Sequence, residues 1–106
     1  MINIQSIMPK IFEYFGFIFF FYSNEHELIH VHVVKAECES IFELIINNGQ
    51  LIKITRRSAD RPMLSDKDAK IAENFIKKYY KNIIEKWIKF FVLKKSIRST
   101  RITKKI

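Results

Sequence analysis

All three histidines of this 106-residue chain fall between positions 26 and 32, in the stretch Glu25-His26-Glu27-Leu28-Ile29-His30-Val31-His32. Neutral imidazole is the commonest metal ligand among side chains and the group that titrates nearest physiological pH. The cluster therefore suits metal binding or proton transfer. His30 and His32 are interleaved with Val31, Val33 and Val34, a β-branched run that predicts a strand over 30–35. Alternate side chains of a strand share a face, so both rings should project together. The plainer alternative is a pair of exposed strand histidines that pack against their neighbours.

Two site chemistries follow from the cluster. As a catalytic set, His30 or His32 would act as general acid or base, Glu43 or Glu25 would orient it, and an arginine would stabilise phosphate charge, as in a small ribonuclease. As a metal set, His26, His30, His32 and Glu25 offer ligands that fit a divalent ion such as zinc with one position open. A third set is electrostatic. Arg56, Arg57 and Arg61 sit in a polar stretch, and Lys94, Lys95, Arg98 and Arg101 begin a basic C-terminus. Guanidinium and ammonium groups match nucleic-acid phosphates or an acidic partner, and the plain alternative is a solvated linker and tail.

The elements that must position these residues are legible in outline. Residues 11–22 are almost continuously apolar, broken by Glu13 and Gly16, and the stretch 17–22 predicts a strand covered on both faces or lying centrally in a small sheet. Residues 23–29 read as a loop. Cys38-Glu39-Ser40-Ile41-Phe42-Glu43-Leu44-Ile45-Ile46 predicts a hairpin partner for 30–35. With Ala36-Glu37 as a two-residue turn, Lys35 faces Cys38, Val34 faces Glu39, His32 faces Ile41 and His30 faces Glu43. That register puts His30, His32, Val34, Glu39, Ile41 and Glu43 on one face. Val31, Val33, Ser40, Phe42 and Leu44 lie on the other, which is more apolar and should pack on the core, leaving the histidines toward solvent. Asn48-Gly49 predicts a type I′ turn into a strand over 51–55.

Ser65-Asp66-Lys67-Asp68 predicts a helix start, with an N-cap serine and early acidic residues that suit the helix dipole. Ala72, Phe75, Ile76, Tyr79, Tyr80, Ile83, Ile84, Trp87, Ile88 and Phe91 follow helical spacing, without glycine or proline, to about Leu93. The aromatic stripe reads as core or as a homodimer interface. The expected fold is α+β: a three- to four-stranded antiparallel meander packed against one long C-terminal helix. Its expected divisions are an extension at 1–7, a single domain at 8–93 and a flexible basic tail at 94–106.

Composition narrows the function classes. Net charge is +8, and the six basic residues of 94–106, with no acidic residue among them, leave the body at +2. The lone cysteine, Cys38, excludes an intramolecular disulfide and is expected to face inward. The apolar run 15–22 is shorter than the roughly 20 residues that cross a bilayer. No basic leader or small-residue cleavage site is visible, so a cytoplasmic protein without membrane contact is expected. There is no glycine-rich phosphate loop, dinucleotide fingerprint or serine elbow.

Met8-Pro9-Lys10-Ile11, Gly16 and Glu25-His26 followed by His30-Val31-His32-Val33 resemble the small bacterial family called domain of unknown function 4160. That family opens with Met-Pro-x-Ile, continues with a glycine and an apolar strand, and then carries Asp/Glu-His-x-Pro-Pro-His-x-His. Its acidic strand, glycine turn and helix ending near tryptophan resemble Glu39, Glu43, Gly49 and Trp87. Leu28-Ile29 stand where the family has prolines, Ala36 where glycine is usual, and Tyr79 and Lys86 where histidine and asparagine are frequent. Residues 57–61 fall around an apparent insertion. The resemblance implies a small cytoplasmic protein encoded beside a second small gene, as in toxin–antitoxin pairs. It therefore implies a small partner protein from that adjacent gene, and RNA as a further target.

Overall fold

The computed structural model describes residues 9–22 and 28–106, so the expected extension at 1–7 and most of the loop before the histidine strand lie outside the described residues. The apolar run 11–22 forms two strands, the one expected within 17–22 and an additional one before it. β1 (Lys10–Tyr14) turns through Phe15-Gly16 into β2 (Phe17–Phe20), antiparallel to it. Phe15 and Gly16 have φ of 43° and 85°, the left-handed pair of a tight hairpin turn. Phenylalanine is a poor signal for such a position, which is why the sequence announces no hairpin turn before the strand at 17–22.

β3 (Ile29–Lys35) and β4 (Cys38–Asn47) form the expected hairpin in the expected register: His30 stands opposite Glu43, His32 opposite Ile41 and Val34 opposite Glu39. Ala36 takes φ 54° at the turn, without glycine's freedom there. Asn48 and Gly49, at φ 53° and 75°, then lead into β5. β5 runs Gln50–Ser58, longer than expected because Arg56 and Arg57 continue the ladder opposite Phe42 and Ile41. These two arginines therefore belong to a strand, not to a connector.

The connector after β5 packs back onto β4. Glu39 N–H donates to Pro62 O at 2.8 Å, and Leu64 N–H donates to the buried Ser40 Oγ at 3.1 Å. Ser65 then caps α1 (Asp66–Trp87), its Oγ accepting from Asp68 N–H at 3.1 Å. Ala69, Ala72, Phe75, Ile76 and Ile83 line the buried stripe of α1 and press on the face of the sheet that carries Phe12, Phe19, Val31, Val33, Phe42 and Leu44. Phe75 sits among aromatic rings, stacked on Phe19 at 4.4 Å and edge-on to Phe12 at 5.3 Å. The helix is irregular at Tyr79 (φ −110°, ψ 15°) and passes after Trp87 into a π-helical turn, Ile88–Val92. Lys94 at φ 56° ends it. No helix among the described residues is long and apolar enough to cross a membrane.

The C-terminal segment corrects a second expectation. It folds back as β6 (Thr100–Ile102), which pairs in parallel with β1. The sheet is thus six-stranded and mixed, in the order β5-β4-β3-β2-β1-β6, where a three- to four-stranded antiparallel meander had been expected. Lys86 pins this return: its Nζ donates to Ile11 O and Arg98 O, each at 2.7 Å, and to Thr100 Oγ1 at 2.9 Å, and lies 4.3 Å from the centre of the Phe12 ring. A parallel contact so distant in sequence leaves no local signal.

Candidate histidine–carboxylate site

Both strand histidines project from the face of the sheet opposite α1, and each meets a glutamate of β4. His30 and Glu43 are direct cross-strand partners. His30 Nε2 lies 2.9 Å from Glu43 Oε2, and Thr55 Oγ1 of β5 donates to Glu43 Oε1 at 3.3 Å. The pair is partly open, with side chains 14% and 26% exposed. A carboxylate only accepts, so the ring nitrogen facing it carries the hydrogen. Glu43 thereby fixes both the orientation and the tautomer of His30. This is the positional half of general acid–base chemistry, or of a simple structural pair.

His32 is placed differently. It is fully buried, not on a solvent surface. Tyr22 lies with its ring centre 3.8 Å from the imidazole and Phe20 with its centre at 5.5 Å. Ile41 and Glu39 are also buried on this side. His32 Nδ1 is 3.1 Å from Glu39 Oε2, which also accepts from Tyr22 Oη at 3.4 Å, while Arg61 Nε lies 3.9 Å from Glu39 Oε1. The outer face therefore carries a second, smaller packed layer. The strand-periodicity argument expected solvent there because it compared only the two faces of the β3–β4 hairpin, whereas the covering rings come from the end of β2 and the residues just after it.

The structure joins some of the candidate residues and separates others. His30 and Glu43 meet as expected. His32 is held by Glu39 and enclosed by rings, so it is unsuited to touching a substrate. Glu25 and His26, half of the zinc set, lie outside the described residues; among those described, no group of three histidine, cysteine, aspartate or glutamate side chains could hold a metal. Cys38 is half-buried against the core.

The phosphate set does not form one patch. Arg56 turns to the helix, 3.8 Å from Asp66 and 3.6 Å from Glu73. Arg57 stands opposite Ile41 on the histidine face, and Arg61 reaches Glu39. Lys94 and Lys95 follow the π-helical turn, with Lys95 N–H donating to Lys89 O at 2.8 Å. Arg98 lends its carbonyl to Lys86, and Arg101 lies 3.4 Å from Glu13 across β6 and β1.

Thr55, Tyr22 and the pairing of Glu39 with His32 escaped the sequence reading. The last was within reach of it, since in the expected register Glu39 is the diagonal neighbour of His32.

The model of the family described as Domain of unknown function (DUF4160) matches residues 16–88. The chain belongs to this family. The matched span holds β2 to β5, and so both histidine–glutamate pairs, together with the whole of α1; β1 and β6 fall outside it. No curated protein and no solved structure gives a significant match to the chain.

Proposed function

We propose that this DUF4160 protein is a small cytoplasmic interaction module, one component of a toxin–antitoxin-like gene pair, which binds the product of the adjacent gene, with RNA as a further target. The observation that carries the reading is the edge of the sheet. β5 is nine residues long and terminates the strand order, and among the described residues nothing pairs with its outer side. A strand with an open row of backbone donors and acceptors is a template for a partner strand. Co-expression with the adjacent gene followed by size-exclusion chromatography tests the reading. The two products should elute together at micromolar concentration; separate elution rejects it.

A second reading, a ribonuclease-like enzyme, is favoured by the oriented His30–Glu43 pair at 2.9 Å. It is weakened by the enclosure of His32, which leaves His30 as the one accessible histidine among the described residues, where acid and base roles call for two groups. RNA degradation by purified protein that disappears in His30→Ala would favour this reading over the first.

A further inference from the structure

The open edge of β5 carries a charge pattern as well as unused hydrogen-bonding capacity. The strand contains Lys53, Arg56 and Arg57 and no acidic residue. Their surroundings differ. Arg56 is answered within the chain by Asp66 and Glu73. Lys53 and Arg57 stand opposite Ile45 and Ile41 on the histidine face, and among the described residues neither lies within ion-pair distance of a carboxylate. Glu43, the acidic residue between them on that face, is engaged by His30 and Thr55.

Cations on an edge strand ordinarily protect it from pairing with another copy of itself. Here that protection is selective. Two β5 edges brought together would set uncompensated cations against one another, whereas an acidic strand would neutralise them. Lys53 and Arg57 are four residues apart on a regular stretch of strand, so their side chains share a face at a spacing of about 13 Å. A partner strand with carboxylates at i and i+4 matches that spacing. Ile52, 63% exposed beside the bulge in the β4–β5 ladder, adds apolar area at the start of the edge.

We infer that β5 is the docking edge for an extended acidic segment of a partner protein, which adds to the sheet as a further strand with its carboxylates set against Lys53 and Arg57. The inference rests on the partner-binding reading above and specifies the chemistry and position of the partner.

The test uses the full chain and a labelled peptide of alternating glutamate and valine, with fluorescence anisotropy for affinity and amide chemical shifts for location. Binding should perturb the amides of β5, weaken as salt rises, and fall about tenfold or more in Lys53→Glu/Arg57→Glu. An alternating lysine–valine peptide should not bind the wild type. Shift changes centred away from β5, or equal binding by the double variant with its circular dichroism unchanged, overturn the inference. So does tighter binding of a single-stranded RNA oligonucleotide at the same two cations. If the adjacent gene product co-elutes equally with wild type and double variant, the partner-binding reading stands and the docking edge falls. If the peptide docks on β5 but the adjacent product never co-elutes, the edge stands and that reading falls.

Discussion

His32 and Glu39 meet diagonally across the β3–β4 ladder, Nδ1 to Oε2 at 3.1 Å, with side chains only 1% and 7% exposed. A polar pair sealed this thoroughly holds the sheet's second layer together, because removing either member takes a buried polar contact from the other. His32→Ala should therefore lower unfolding free energy by about 3 kcal/mol, the cost typical of breaking a buried pair. Urea unfolding measures it. A loss below about 0.5 kcal/mol would show that the enclosure is looser than the distances imply.

The neighbouring pair should behave otherwise. His30 and Glu43 are partly solvated, so His30→Ala should cost less than about 1 kcal/mol in the same urea series. On the interaction reading, that variant should also still co-elute with the adjacent gene product. Loss of co-elution with the fold intact would move the contact surface from β5 to the histidine face.

Ala36 holds φ 54° in the β3–β4 turn, a conformation that opposes every side chain bearing a Cβ. Ala36→Gly relieves this at the expense of a more flexible unfolded chain, for a net gain of about 0.5–1 kcal/mol. The thermal midpoint should rise by a few degrees. An unchanged or lower midpoint would mean that the turn carries no strain.

Lys86 clasps β6 to the helix, and its pKa is lowered from 10.5, chiefly by burial and secondarily by Lys89. A folded-state value below the unfolded one means that the unfolded chain binds more protons in the interval between them, so this group's contribution favours folding increasingly as pH rises toward 10.5. Lys86→Met should be less stable than wild type at neutral pH, since Ile11 O and Arg98 O lose their donor. The gap between the two proteins should widen on the way to alkaline pH. Amide exchange at Arg101 and Ile102 should accelerate in the variant. A gap that narrows with pH would contradict the direction of the Lys86 shift.

How much of this was legible beforehand depended on whether the deciding contact was local. The β3–β4 register followed from alternation alone, since a slip of one residue would have buried His30 and Glu43 in place of Val31 and Phe42. Asn48-Gly49 and Ser65 announced a turn and a cap through their own chemistry. Phe15-Gly16 gave no comparable signal, so β1 went unread ahead of the strand at 17–22. The enclosure of His32 depends on Phe20 and Tyr22, and the alternation of the β3–β4 hairpin carries no information on how that earlier strand pairs with β3. β6 was hidden among lysines and arginines because its partner, β1, lies at the opposite end of the chain. Arg56 and Arg57 looked alike in sequence, and only the pleat sends one to Glu73 and the other to the histidine face.

The short parallel strand at the C-terminus also makes the two flanks of the sheet unequal. β6 lies over part of β1 and ends that flank with three residues, against the nine of β5 on the other. A guest segment therefore finds one long rim and one stub, and the molecule has a built-in polarity for lateral growth.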